Sequence, residues 1–406
     1  MKVIVIGGGA AGMLAAIGAA EYGNEVLLLE RNEKLGKKIY ITGKGRCNVT
    51  NNCDASDLMK NICRNPKFLY SAFDTFDNTD IQNLLIEQGC ELKVERGERV
   101  FPVSDHASDV IRALKNKMES LNIKVMLKQQ VKDIIIEDSI VKGIITTDNR
   151  RFDSDWVIVC VGGKSYPTTG SDGNFNIILE KIGHTIVEPR PALVGFESDD
   201  EWIEELAGLA LKNIGIKLTA EGLKKPRYSD FGEMLFTHKG ISGPVILSAS
   251  SFYEPGDKII IDLKPALDAN TLDQRLLREF EANSNKDFSN ACDSLFPKKL
   301  ISTMIKLSNI PPSTKVHQIT AEQRAAFGRL IKNLPVSISG TGDFSEAIIT
   351  RGGINVKEVD PSTMQSKKVN GLSFAGEVLD LDAVTGGFNL QIAWSTGYLA
   401  GTRVGW

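Results

Sequence analysis

The chain has 406 residues, 42% hydrophobic and 24% charged, with a formal net charge of −3. That length leaves room for two or three domains and a substantial core, and that composition excludes disordered and fibrous classes. The mild negative charge gives no general pull toward nucleic acid or anionic lipid.

The six cysteines include no C-x-x-C and there are only four histidines. Neither a local redox dithiol nor a zinc cluster is signalled, and reduced cysteines in a cytoplasmic protein fit best. Nothing in the composition encodes a partner protein or an oligomeric state.

Val3 to Glu30 reads VIVIGGGAAGMLAAIGAAEYGNEVLLLE. Val3 to Ile6 suits a central parallel strand, and the G-x-G-x-x-G fingerprint follows it at once. Gly7 allows the tight turn, Gly9 lets backbone approach a pyrophosphate, and Gly12 lets the next helix lie close on the strand. A helix from Ala10 to Tyr22 aims its N-terminal amides at that pyrophosphate, and Gly23-Asn24 stops it. Val26 to Leu29 forms the second strand. Glu30 then arrives about twenty residues after the turn, where an acid accepts ribose hydroxyls and repels a 2′-phosphate. Val3 to Ala20 is uncharged, as in a membrane helix or a short signal peptide. Three consecutive glycines and the lack of a small-residue cleavage site argue against both.

From Arg31 through Lys37-Lys38 to Thr42-Gly43-Lys44-Gly45-Arg46-Cys47-Asn48 runs a Gly- and cation-rich loop suited to a second face of an anionic cofactor. Cys47 beside Arg46 invites a redox reading, since a nearby cation lowers a thiol pKa, but a lone cysteine there fits packing better.

Four segments carry a resemblance: GKGRCNVTN, Gly162 to Gly173 (GGKSYPTTGSDG), Leu235 to Pro244 (LFTHKGISGP) and Gly376 to Asp380 (GEVLD). Together, in this order and across nearly the full length, they resemble a bacterial FAD flavoprotein family. Its members are labelled NAD(FAD)-utilising dehydrogenases and include aminoacetone-oxidase-like and bile-acid-inducible flavoproteins. Phe388 stands where that family usually has tyrosine, and Cys160-Val161 where small or hydroxyl residues are commoner.

Asp80 to Gln88 and Ala107 to Leu121 have helical spacing, with Glu98 to Pro102 an edge strand or turn between them. Val125 to Leu127, Val131 to Ile136 and Val141 to Thr146 read as a small antiparallel meander, which in flavoproteins of this type covers the adenine end. Trp156 to Cys160 returns to the main sheet and ends at Gly162-Gly163, again placing bare backbone beside a ligand. After Glu188-Pro189-Arg190-Pro191 the character changes to short antiparallel strands (Ile214 to Thr219, Met234 to Thr237, Lys258 to Leu263). Asp268 caps a helix through Phe280, and Lys299 to Leu307 and Thr320 to Leu334 continue helical. His238 within FTHKGISGP is read as structural before pocket-lining.

Leu372 to Ala375 is strand-like and runs into Gly376-Glu377, an acid where a ribityl hydroxyl needs an acceptor. Gly386-Gly387-Phe388-Asn389-Leu390-Gln391 then opens an apolar helix through Leu399, whose N-terminus suits the negative charge of a reduced flavin. An acid and a glycine-opened helix at this distance from the fingerprint point to FAD. No second complete fingerprint exists, Gly340-x-Gly342 being a loop, so any NAD(P)H has no Rossmann domain of its own and must share the flavin face.

The motifs and the resemblance together assign cofactor contact to Gly7, Gly9, Ala10, Ala11, Gly12, Glu30, Arg31, Lys38, Thr42, Gly43, Gly45, Arg46, Cys47, Asn48, Val131, Gly162, Gly163, Gly376, Glu377, Gly387, Asn389 and Leu390. The expected fold is α/β: a Rossmann-type, glutathione-reductase-like FAD domain (1–190 and 340–406), an inserted β-rich substrate domain (191–266) and a small helical subdomain (267–339). The expected function is an FAD-dependent oxidoreductase. It passes a hydride between a small-molecule substrate and flavin N5, with NAD(P)H or oxygen as the other partner, and no membrane, metal or nucleic acid is expected. An FAD-dependent RNA-modifying enzyme is the alternative, resting on Lys224-Lys225-Pro226-Arg227 and Lys298-Lys299, with a non-catalytic flavin-binding protein behind it. No catalytic acid–base pair is visible.

Overall fold

The computed structural model describes residues 1–406, apart from the side chain of Lys44. The chain divides into two compact units, one formed by Met1–Leu193 with Asp343–Trp406, the other by Val194–Gly342.

The first unit is built on a five-stranded parallel sheet in the order 372–374, 156–159, 2–6, 25–30, 124–127. Its central strand, Lys2–Ile6, is β-branched and buried on both faces beyond its first residue, as a parallel strand between helical layers must be. The uncharged run that could have been one long apolar helix is broken at the glycine turn. The helix proper is Ala10–Glu21, and among the described residues no helix is long and apolar enough to cross a membrane.

The last helix, Phe388–Thr402, lies directly on the first. A Cβ at Gly397 would overlap the Ala11 carbonyl and one at Gly401 the Ala15 carbonyl, so these two glycines set how close the helices come. That contact carries the far end of the chain back to the glycine turn.

Lys124–Leu127 is an outer strand of the parallel sheet, paired in parallel with Leu27–Glu30, and not part of the meander as its sequence suggests. The meander is instead 131–137, 140–146 and 151–153. Arg99–Pro102 is the middle strand of a three-stranded sheet, flanked by Thr50–Asn51 and Leu92–Glu95. The proline-marked segment Ile186–Ala192 is itself a strand, antiparallel to Ile349–Ile354.

In the second unit a seven-stranded antiparallel sheet runs in the order 334–337, 258–262, 210–219, 228–236, 240–242, 196–197, 340–341. Its two outer strands are separated in sequence by Ile338 and Ser339 alone, so the sheet must curl until its edges meet. Helices Ala269–Ala282, Lys298–Ser308 and Ala321–Lys332 share one hydrophobic core with these strands, in which Leu276, Phe288 and Phe327 pack with Ile216, Ile259 and Val336. The β-rich and helical pieces are therefore one body. Two local readings change: Leu334 opens a strand after the helix ends at Lys332, and Gly340–Thr341 is a strand paired with Phe196–Glu197.

Candidate cofactor site

Parallel register puts four loops on one edge of the central sheet. Ile6 pairs with Leu29 and with Val159, and Val159 pairs with Phe374. Gly7, Glu30, Gly162 and Gly376 thus all leave the carboxyl ends of adjacent strands. The first strand is where the sheet order reverses, and the crevice outside such a switch point is where open α/β sheets hold ligands.

At the glycine turn, Gly12 is required by packing, because a Cβ there would overlap the Gly7 carbonyl. Gly9 is not: its φ is −85° and no atom lies within 4 Å of where its Cβ would be. Gly9 also begins the first helix without a side-chain cap and with no acid in the first turn, so the amides that follow, at Ala10 and Ala11, have no partner within the helix.

Glu30 is 7% exposed. Its carboxylate accepts from Gly8 N at 2.7 Å and from both the backbone and side-chain nitrogens of Asn32 at 2.7 Å. It clamps the glycine turn and keeps about one lone-pair position open. Residues 128 and 129 donate to the carbonyls of Asn32 and Glu30, which brings the buried Val131 to the same end of the site. Arg31 Nη1 pairs with Asp172 at 2.7 Å and donates to the Gly170 carbonyl at 3.2 Å.

Toward the other end, Lys38 Nζ donates to Ser165 Oγ at 2.6 Å and to Glu377 Oε2 at 2.7 Å. Glu377 Oε1 also accepts from Ser165 Oγ at 2.9 Å and Thr350 N at 2.7 Å. Thr350 Oγ1 in turn accepts from the amides of Lys164 and Ser165 at 2.7 and 2.9 Å. Gly163 sits against Thr350 and Glu377. Sequence reasoning found Lys38 and Glu377 but not their link, nor Ser165 and Thr350, because hydroxyl residues in loops carry no spacing signal. Gly376 N donates to Thr396 Oγ1 at 2.9 Å, tying this corner to the last helix. That helix starts at Gly387 in a left-handed conformation, φ +103°, with no side-chain cap and no acid in its first turn, so the amides through Leu390 have no partner within the helix.

Several sequence-assigned side chains serve the fold. Arg46 lies over the Phe101 ring at 4.2 Å and is held by Glu95 and Asp105, whose hydrogen bonds raise its pKa. Cys47 is wholly buried at φ +60°, and burial pushes its thiol up to about 12 despite a hydrogen bond with Thr42, so the cation beside it in sequence does not activate it. Thr42 Oγ1 donates to the Ile39 carbonyl at 2.8 Å. Asn389 bonds the backbone of Ala383 and Val384 and fixes the loop before the helix. Gly43 and Gly45 both adopt positive φ in the short helical turn Ile39–Gly45. In the second unit His238 is exposed at the turn between strands Tyr228–Phe236 and Gly240–Ser242.

The residues present fit FAD. Gly9 leaves an unfilled cradle at an uncapped helix, the buried acid follows at the end of the second strand, and Asn48 Oδ1 and Asp380 Oδ1 are buried without a hydrogen-bond partner. Orphaned buried acceptors are rare in native proteins and suit the N–H and O–H groups of a polar ligand. Burial also raises the Asp380 carboxyl above its usual range, against Arg64 and Asn65. Among the described residues no His/Cys/Asp/Glu group is arranged to hold a metal.

Residues 1–403 match the family described as HI0933-like protein Rossmann domain. The 3-dehydro-bile acid delta(4,6)-reductase of Clostridium scindens is 32% identical over 413 residues, covering 98% of both chains. Ribosomal RNA dihydrouridine synthases of Haemophilus influenzae and Escherichia coli are 29% and 30% identical, covering 97% of this chain and 96% of each relative. In fold, the chain is similar to the 3-ketosteroid-delta4-(5alpha)-dehydrogenase of Rhodococcus jostii, with a TM-score of 0.54 at 14% identity over 99% of this chain and 96% of that one. With the glycine turn and the buried acid on one sheet edge and the last helix packed on the first, the chain belongs to the HI0933-like family of FAD-binding Rossmann oxidoreductases.

Proposed function

We propose that this protein is a cytoplasmic reductase that adds hydrogen across a carbon–carbon double bond conjugated to a carbonyl in a small organic substrate, with FAD as hydride carrier and NADH or NADPH as reductant. The observation that carries this reading is shared chemistry. A delta(4,6)-reductase and a dihydrouridine synthase, aligned with 98% and 97% of this chain, have names that describe saturating such a bond.

Bound FAD supplies a hydride donor at N5. The chain supplies placement and electrostatics. Gly9 and the first-helix amides would hold the pyrophosphate, Glu30 would accept from the ribose, and the amides from Gly387 to Leu390 would lend partial positive charge to the flavin ring. Lys38, with two of its three protons given to Ser165 and Glu377, keeps one for the ligand. Only one complete fingerprint exists in the sequence, so the nicotinamide and the substrate take turns in one place.

A second reading has support in the 29% and 30% identity to two RNA-acting relatives: the double bond then belongs to a uracil base of RNA. The net charge of −3 weighs against a polyanionic substrate.

Anaerobic stopped-flow tests both. The flavin band is bleached by NADH or NADPH, and the reduced protein is then mixed with a conjugated keto-steroid acid or with unmodified ribosomal RNA. Reoxidation by the enone, with parallel double-reciprocal lines in steady state, is expected. Reoxidation by RNA alone moves the assignment to the second reading, and reoxidation by neither, with oxygen as the one acceptor, overturns the reductase.

A further inference from the structure

Ser171 is a buried hydroxyl that nothing in the chain satisfies. It is 6% exposed, and its Oγ has no hydrogen-bond partner. Leaving such a group unpaired costs free energy, and native chains keep few of them.

The loop that carries it is tightly held. Arg31 Nη1 bonds the Gly170 carbonyl at 3.2 Å and Asp172 at 2.7 Å, Asn32 Nδ2 donates to the Thr169 carbonyl at 2.8 Å, and Asp172 Oδ1 accepts from Asn174 N at 3.1 Å. The same Asn32 amide donates to Glu30 Oε1 at 2.7 Å. On its other side the hydroxyl faces Gly162, whose absent Cβ would lie 2.7 Å from Ser171 Oγ. Ser171 is thus pinned at the carboxyl edge of the sheet, between the acid at the end of the second strand and the glycine turn that follows strand Trp156–Val159.

Ser154 provides the contrast. It too is buried, at 8%, with an unpartnered Oγ, but it precedes that strand and lies at the opposite, amino edge.

We propose that Ser171 is a ligand of the adenosine half of the dinucleotide, its Oγ–H donating to a ribose or phosphate oxygen there. This rests on the FAD reading above and adds a contact that no fingerprint glycine or acid supplies. The hydroxyl is unsatisfied until the ligand arrives, so removing it has opposite effects on the empty and loaded forms.

The test is Ser171→Ala beside Ser154→Ala, with FAD, ADP and FMN titrated into protein stripped of flavin and Tm measured without ligand. Ser171→Ala is expected to weaken FAD and ADP about three- to tenfold, to leave FMN binding unchanged and to hold or raise the Tm of the stripped protein. Ser154→Ala is expected to hold or raise that Tm and to leave all three affinities alone. Unchanged FAD affinity in Ser171→Ala overturns the proposal, as does an equal loss for FMN. A Tm several degrees lower without ligand makes the hydroxyl structural and overturns it too. If the parent protein binds neither FAD nor ADP, the FAD reading itself falls, and Ser171 with it.

Discussion

Replacing Gly9 and Gly12 by alanine, one at a time, separates a glycine kept for a ligand from one kept for the fold. At Gly9 the new methyl meets nothing within 4 Å, and φ −85° is an ordinary conformation for alanine. Restricting the unfolded chain adds about 0.4–1 kcal/mol. A poorer helix cap takes back a similar amount, on the order of 0.5–1 kcal/mol. The flavin-free Gly9→Ala protein should therefore melt within a few degrees of the parent. Its affinity for FAD should fall roughly ten- to 150-fold, the loss of about 1.5–3 kcal/mol of charge-assisted bonding to the pyrophosphate. At Gly12 the methyl overlaps the Gly7 carbonyl, so the turn or the helix must shift, at about 1–3 kcal/mol or more. The Gly12→Ala protein should melt several degrees lower even without ligand. Flavin-fluorescence titration and thermal melts of the stripped proteins read both quantities. If Gly9→Ala binds FAD like the parent, or destabilises the empty protein as much as Gly12→Ala does, the cradle is misplaced.

Glu30→Gln should keep the turn through one remaining bond to Gly8 and still weaken FAD about tenfold or more, seen as flavin lost on dilution; retention of parental affinity would show that the carboxylate serves the turn alone. Cys47, wholly buried with its thiol pushed up to about 12, should stay unlabelled when the native protein is treated with iodoacetamide in mildly alkaline buffer, and rapid labelling seen by mass spectrometry would contradict that. On the acid side, Tm should drop in two stages. Burial holds His184 below its usual value although Glu358 pulls the other way, so its share of stability is complete above about 6.5 and drains as pH falls through the lower folded value. Glu358 is half-buried, which pushes its carboxyl up, yet hydrogen bonds from Lys368 and Thr185 take it from 4.5 to about 2; its share, roughly 3 kcal/mol, is present above 4.5 and lost as pH falls toward 2. Glu358→Gln should flatten that second stage, and a Tm profile running parallel to the parent's down to pH 2 would refute the assignment. Replacing Val194–Gly342 by a short Gly/Ser linker should leave a protein that binds FAD and turns over no substrate, since Leu193 and Ile348 already share a hydrogen bond at 3.3 Å; substrate turnover by that protein would mean substrate choice lies in the first unit.

The sequence alone determined the parts of this protein whose physics is local. A β-branched run, three glycines, a small-residue helix and an acid at fixed distance can form little else, because turn geometry, close packing and helix electrostatics all act within thirty residues. The apolar helix opened by Gly386-Gly387 and the acid at Gly376-Glu377 were legible for the same reason, as was the Asp268 cap, which accepts from the amide three residues on. Tertiary structure alone decided what those parts join. Lys124–Leu127 has the look of a meander strand, but which neighbour a strand pairs with depends on what the rest of the chain leaves open, and here that was an edge of the parallel sheet. The inserted strands and helices became one body because each supplies one face of a core the other must cover. Lys38 and Glu377, 339 residues apart, meet only once the sheet is assembled. The side chains of Arg46 and Asn389, rich in donors, pair with Glu95 and Asp105 and with the Ala383 backbone, partners that spacing along the chain does not record because an ion pair or hydrogen bond depends on distance in space.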